Sequence, residues 1–228
     1  MNGKLKAITF SYDDAVSQDV RLIELLNKYN LKGTFNVNSG LLGRHDIWIR
    51  EGQRVTSFKI PSERVRDVYE GHEVAVHTLT HPNLTHLEEK DIIRQVENDR
   101  LNLSELVGYE VSGMAYPCNG VNDQVIKTIR EHTGIKYCRT TDCTNDFKAQ
   151  ENLYHFNPTA YHLHFDKLMD LGERFVSMKP TSPQIFYIWG HAYDLDYRPD
   201  YWMKLDEFFK LIANKDDIFY GTNSEILL

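Results

Sequence analysis

Short apolar runs alternate with longer stretches of helical period along the whole chain. "KLKAITFS" is apolar and β-branched and predicts a first strand. In "SQDVRLIELLNKYN" the residues Val20, Ile23 and Leu26, with Leu22 and Leu25, recur at helical spacing, and Ser17 stands where an N-cap belongs. "GTFNVN" predicts a second strand, "PSERVRDVYEG" a helix and "HEVAVH" a third strand. "THLEEKDIIRQVENDRLNLSELVG" predicts a long helix, opened by a Thr85-x-x-Glu88 capping box and closed at Gly108. "VSGMAYP" then reads as a strand and "NDQVIKTIREHTG" as a helix. "IKYCRT", "LYHFNPTAY", "QIFYIWGH" and the short "DIFYGT" predict further strands, and "FDKLMDLGERFVSM" and "YWMKLDEFFKLIAN" further helices. Only the stretch 41–60 has no clear period. With no internal repeat or linker, this alternation predicts one α/β domain over residues 1–228. Its sheet would be parallel, either closed as a (β/α) barrel or doubly wound. A barrel gathers its chemistry at the C-terminal ends of the strands.

Composition narrows the partners. The 228 residues carry a formal net charge of −7, which argues against a nucleic-acid backbone or an anionic membrane surface as the main partner. Three cysteines, Cys118, Cys138 and Cys143, fit a reducing compartment better than a disulfide framework. The N-terminus enters its first strand without an apolar leader, and no run is long enough to span a bilayer. As the sequence stands, the expected location is cytoplasmic.

Reactive residues do fall just after the strands. The first strand ends in two adjacent acids, Asp13 and Asp14, in "SYDDAV". An Asp at a strand-to-helix turn is ordinary, but two in series repel unless something separates or neutralises them. The third strand ends in "HTLTH", where His77 and His81 have the i, i+4 spacing that divalent metals use. Pro82 disfavours helical geometry at His81 and places the pair on a turn. "GMAY" ends in "PCNG", a turn able to aim backbone N–H groups at a substrate. "IFYIW" ends in Gly190 and His191, the latter an acid or base candidate.

Taken in order, these segments resemble the polysaccharide deacetylase family, also called the NodB-homology or carbohydrate esterase 4 family, from Ile8 to about Tyr193. The resemblance implies a distorted (β/α)7–8 barrel and a hydrolase that removes acetyl groups from N-acetylated, or O-acetylated, carbohydrate. It aligns the family's Thr-Phe-Asp-Asp-Gly motif with Ser11-Tyr12-Asp13-Asp14-Ala15, and so implies Asp13 as catalytic base and Asp14 as metal ligand. His77 and His81 match the His-[Ser/Thr]-x-x-His motif and become the other ligands. Tyr116, Pro117 and Cys118 match the oxyanion turn, with the Cys118 backbone N–H as donor. Trp189 would line the acetyl pocket and His191 would protonate the leaving amine. One divalent ion is implied, zinc by default, with cobalt, nickel or manganese as alternatives.

Four positions depart from the family pattern. Ala115 replaces the arginine that orients the base, so Asp13 is expected to lack that support. Cys118 replaces a tyrosine and Ala15 a glycine. The family's Asp-x-x-Asp-Trp motif has only a loose counterpart around Asp142 and Asp146-Phe147. Two other readings therefore stay open: a related barrel amidohydrolase acting on a non-sugar amide, and a carbohydrate-binding protein that has lost turnover. For the latter, Tyr12, Trp48, Tyr116, Tyr161, Trp189 and Tyr193 are candidate sugar-stacking aromatics. His162 and His164 are expected to point one inward and one outward.

Overall fold

All eight residues of strand β1 (Lys6–Asp13) are buried. A strand buried on both faces needs partners on both edges and cover on both sides. The computed structural model, which describes residues 1, 3–50 and 52–228 without the side chains of Asp46, Trp48 and Arg50, supplies both. In chain order, β1 is followed by α1 (Gln18–Lys28), β2 (Gly33–Val37), β3 (His45–Arg50), β4 (Gln53–Phe58), α2 (Val65–Val68), β5 (Glu73–Val76) and α3 (Glu89–Val107). Then come β6 (Gly113–Ala115), α4 (Asp123–His132), β7 (Tyr137–Arg139), β8 (Ala160–Tyr161) and α5 (Phe165–Ser177). β9 (Gln184–Gly190), α6 (Tyr201–Ile212), β10 (Ile218–Tyr220) and α7 (Asn223–Leu227) complete the chain. The main sheet runs β7-β6-β5-β2-β1-β9-β8, with β10 paired to the start of β1, and every pairing in it is parallel. It curls into a half-barrel whose end strands, β7 and β8, do not pair with each other.

Alternate residues of β1 have different surroundings, as the two-residue period of a strand requires. Ile8, Phe10 and Tyr12 pack into the main apolar core beneath the helices. On the other face, Ala7 joins a small cluster with Tyr187 and Phe156, and Thr9 and Ser11 make polar contacts. Thr9 Oγ1 donates to Asn223 Oδ1 (2.8 Å), and Asn36 Nδ2 donates to Ser11 Oγ (2.9 Å). Asp13 ends this polar row. Lower down, Glu73 accepts from Thr34 Oγ1, Tyr137 Oη and the backbone N of Ser224, at 2.8–2.9 Å. The last two bonds tie β7 and the first turn of α7 to β5. Helix α7 is fixed in turn by a capping box between Thr222 and Glu225.

Several local expectations are corrected. Residues 41–60 are not irregular: β3 and β4 form an antiparallel hairpin with Gly52 at left-handed φ (78°) near its tip. Its base is bonded to the turn after β1, through Ser17 N to Phe58 O (2.7 Å) and Ile60 N to Ala15 O (2.8 Å). The Thr85–Glu88 box does not form. Thr85 lies in a 3-10 turn held by Asn83, and α3 starts later, with Glu88 as an N-cap that makes no side-chain bond. Gly108 does close α3, at φ 80°. "PSERVRDVYEG" yields only a 3-10 turn and the single-turn α2, and "LYHFNPTAY" a 3-10 turn over Leu153–His155, irregular chain and a β8 only two residues long. Among the described residues no helix is long and apolar enough to cross a membrane.

Ser17, at the N-cap position of α1, makes no side-chain capping bond; Asp19, in the first turn, reaches back instead to the chain before the helix. Its Oδ2 accepts from Val16 N (3.1 Å) and Tyr69 Oη (2.7 Å), while its Oδ1 is buried without a partner. Burial therefore pushes the Asp19 carboxyl up, to about 8. A carboxyl that binds its proton more tightly in the folded chain loses stability for the fold as pH rises from its unfolded value, about 4, to that raised value. Urea denaturation is expected to show stability falling between pH 5 and 8, with Asp19→Asn flattening the slope. An unchanged slope in the variant would remove Asp19 as its source.

Candidate active site

The two adjacent acids are separated by the backbone. Asp13 is the last residue of β1, and Asp14 (φ 86°) and Ala15 (φ 50°) then turn left-handed, a conformation costly for residues other than glycine. Asp14 N donates to Asn36 O (3.0 Å), and the hairpin base holds Ala15 O, so neighbours on both sides fix the turn. Asp13 meets a cation: Arg139 Nη2, at the end of β7, lies 2.6 Å from both of its carboxylate oxygens, and Asn36 Nδ2 lies 2.8 Å from Oδ1. Asp13 and Arg139 are only 2% and 1% exposed. Burial by itself raises the Asp13 pKa; Arg139 first, then His77 and His191, outweigh it and hold the group below the ordinary carboxylate value.

Asp14 is directed into a different cluster. One ligand atom each from Asp14, His77 and His81 lies within 4.8 Å of the others, a spacing one divalent ion can bridge. His77 follows β5, and no helix covers 77–81, as Pro82 predicted; Thr78 and His81 have left-handed φ. His77 Nδ1 lies 2.8 Å from Ala115 O. A carbonyl can only accept, so Nδ1 carries the hydrogen and Nε2 keeps its lone pair. Burial pushes the His77 pKa down to about 4, which keeps the ring neutral, as a metal ligand must be. His81 Nε2 is 3.9 Å from Asp14 Oδ1, and its Nδ1 is 3.9 Å from Cys118 Sγ. Lys59, from the base of the hairpin, adds a buried ammonium 3.2 Å from Asp14 Oδ1 and 2.8 Å from Asp14 O. The neutral His77 ring, the His81 ring and the Asp14 carboxylate fit a divalent cation.

His191 faces the same centre. Its Nε2 is 4.0 Å from Asp13 Oδ2, and its Nδ1 is 2.9 Å from Asp194 Oδ2. The Tyr161 hydroxyl also donates to Asp194. Burial alone would lower the His191 pKa; the Asp194 hydrogen bond, then the charges of Asp13 and Asp14, raise it above the ordinary value.

The chain as a whole is similar to known proteins. The family model described as polysaccharide deacetylase matches residues 1–137, more than half of the chain. The chain belongs to the polysaccharide deacetylase family. It is 27% identical over 124 residues, 54% of its length, to a peptidoglycan-N-acetylmuramic acid deacetylase of Bacillus subtilis. It is 28% identical over 145 residues, 63% of its length, to a peptidoglycan-N-acetylglucosamine deacetylase of Listeria monocytogenes. The chain spans about a quarter of the length of these relatives (23% and 27%). A solved structure from Mycobacterium smegmatis, 17% identical, superimposes with a TM-score of 0.68 over 99% of this chain and 90% of that one, and so shares the fold.

Against the expectation from the family pattern, Asp13 does not lack a supporting cation. Ala115 and Arg139 are register partners on β6 and β7, so the guanidinium reaches Asp13 from one strand further along the sheet. The loose fourth motif has no such role: Asp142 accepts from Asn119 (3.1 Å), Asp146 caps its own turn, and Phe147 is buried among Phe175 and Phe186. The carboxylate beside His191 is Asp194, three residues on. Ala15 stands in for glycine by adopting the left-handed φ itself.

Among the remaining predicted site residues, Pro117 is buried and opens a 3-10 turn in which Cys118 and Asn119 have left-handed φ. Trp189 is half-buried; Arg139 lies 4.9 Å over its ring, Tyr161 stacks at 4.8 Å, and its Nε1 donates to Cys143 Sγ (3.4 Å). Tyr116 points away, with its hydroxyl on Tyr154 O (2.8 Å), and Tyr12 is fully buried, so neither side chain can stack on a sugar. Tyr193 stacks on His191 at 5.0 Å. The Trp48 side chain lies outside the described residues. His162 is fully buried and His164 exposed, the expected split. The residues missed from sequence are Arg139, Asn36, Asp194 and Lys59. Two carried a signal: Arg139 is a charge ending an apolar strand, and Asp194 stands three residues after the candidate acid.

Proposed function

We propose that this chain is a metal-dependent hydrolase that removes the acetyl group from an N-acetylated carbohydrate. One observation carries the reading. The Asp14, His77 and His81 donors adjoin an Asp13–Arg139 pair and a His191–Asp194 pair that face each other at 4.0 Å. Asp14, His77 and His81 would hold the ion, zinc being the default for this donor set. When bound, it supplies Lewis-acid polarisation of the acyl carbonyl and lowers the pKa of water.

The chain's own groups divide the remaining work. Arg139 contacts both oxygens of Asp13, but Oδ1 also accepts from Asn36 while Oδ2 faces His191, so Oδ2 would accept the proton from the attacking water. Arg139 keeps Asp13 ionised for that step. The turn at Cys118 sits against His81, and the Cys118 backbone N–H would donate to the developing oxyanion. Asp194 holds Nδ1 of His191, leaving Nε2 to carry the proton to the departing amine. Trp189, Tyr161 and Cys143 form a half-buried wall suited to a methyl group. Arg139 on Asp13 favours turnover over the reading as an inactive binding homologue. The retained ligand trio favours a metal-assisted deacetylase over a metal-free amidohydrolase.

The test is acetate release from N-acetylated oligosaccharides. Metal-stripped protein is expected to be inactive and to recover with added zinc or cobalt. Asp13→Asn should retain metal binding by calorimetry while turnover falls by roughly 10²-fold. Full activity in the stripped protein, or in Asp13→Asn, would overturn the reading.

A further inference from the structure

Lys59 is only 6% exposed, and a lysine is that deeply buried only where its charge is met. The backbone pins it at the base of the hairpin: Lys59 N donates to Arg44 O (2.8 Å), and the residue pairs antiparallel with Val16. From there the side chain reaches Asp14 twice. Nζ donates to Asp14 O (2.8 Å) and lies 3.2 Å from Asp14 Oδ1. Oδ1 is also the oxygen 3.9 Å from His81 Nε2. Asp19 feels the ammonium too, but burial pushes its pKa up to about 8, so it is mostly uncharged at neutral pH.

Asp14 supplies the single negative charge of the ligand trio, because a histidine must be neutral to bind a metal. An ammonium against that carboxylate cancels its charge. A divalent ion held by the same carboxylate therefore gains less attraction and meets the repulsion of Nζ. Without a metal the ammonium acts the other way. It compensates a buried carboxylate that would otherwise be destabilising. Through Asp14 O it also holds the left-handed turn that directs the Asp14 side chain. An outer group of this kind both orients a ligand and tunes the ion.

We propose that Lys59 is a resident counter-ion for the Asp14 carboxylate, one that keeps the metal site in its binding geometry without the ion and lowers its affinity for divalent cations. Lys59 has this role only if Asp14, His77 and His81 hold the ion, so it rests on the ligand trio of the deacetylase reading.

The sign of one change separates a counter-ion from a simple strut. Removing a strut loosens Asp14 and weakens metal binding; removing a counter-ion strengthens it. The probe is zinc alone, in competition calorimetry. Lys59→Met keeps most of the side chain's bulk without its charge, and should bind zinc at least about tenfold more tightly than wild type. A unit charge and a divalent ion sharing one carboxylate repel on that scale even at the dielectric constant of water. Lys59→Arg, which keeps the charge, should bind as wild type does. Melting gives a second readout. Metal-free Lys59→Met should melt below metal-free wild type, and saturating zinc should raise its melting temperature by more. A Lys59→Met protein that is unfolded alone but folds on adding zinc would support the proposal, since the ion then replaces the ammonium. Lys59→Met that stays unfolded with zinc, or that binds zinc no more tightly than wild type, would overturn it and leave the ligand trio standing. Tighter binding in both variants would overturn it as well, because charge would not be the cause. Wild-type protein that binds no zinc would overturn the trio, and the counter-ion with it.

Discussion

Ala115→Arg, the substitution that restores the family's motif arginine, is expected to damage this protein. Ala115 is fully buried and is the register partner of Arg139. Register partners on adjacent strands point the same way. Both oxygens of Asp13 already lie 2.6 Å from Arg139. A second guanidinium would enter a closed space beside the first with no carboxylate left to meet it. Arg139→Ala should be equally harmful for the opposite reason. It leaves Asp13 buried without its cation, a loss of about 3–5 kcal/mol on the scale of broken buried pairs. Each single variant should lose roughly 10²-fold or more in kcat/KM, because Asp13, the proposed base, is then mispositioned or no longer ionised. The double variant Ala115→Arg/Arg139→Ala returns one guanidinium to one carboxylate and should recover most of the stability and turnover. Denaturation midpoints and kcat/KM for the four proteins form a double-mutant cycle. Losses that simply add in the double variant would show that Arg139 does not do the work of the missing arginine.

Asp194→Asn is expected to reduce turnover by about 10²–10⁴-fold, the range known for loss of a histidine-orienting carboxylate. Asp194 is buried, accepts from Tyr161, and lies 2.9 Å from His191 Nδ1. An amide that donates to Nδ1 holds the ring neutral, with its hydrogen on Nε2, and a neutral imidazole is a far weaker acid than the imidazolium. The pH profile gives an independent readout. As the proposed acid, His191 works only while protonated, so activity is expected to fall as pH rises through its pKa. Burial lowers that pKa and Asp194 is the largest influence raising it, so the variant's basic limb should move to lower pH. An unchanged limb together with unchanged kcat would remove Asp194 from the mechanism.

Much of the molecule was legible without coordinates. Alternating periods gave the α/β class, because a parallel sheet needs a crossover between successive strands, and here those crossovers are mostly helical. Apolar strands ending in Asp13-Asp14, His77-x-x-x-His81 and Gly190-His191 gave the candidate rim, because parallel strands all point their C-terminal ends the same way. Pro82 placed the histidine pair on a turn through a local steric rule. Gly108 closed α3 for the same kind of reason, a left-handed φ that suits glycine.

What escaped the sequence were relations between segments far apart in the chain. Arg139 lies 126 residues from Asp13, and only the β6–β7 register brings it to the level of Ala115. The sequence by itself determined which residues end the strands and which chemistry they can carry. It could also show that the arginine was missing from its usual position. Which cation reaches Asp13, which carboxylate orients His191, and that Lys59 rests on Asp14 were decided by the tertiary structure alone. Side-chain contacts across a curled sheet depend on strand register and on backbone turns such as the one at Asp14 and Ala15. Neither leaves a periodic trace in the order of residues.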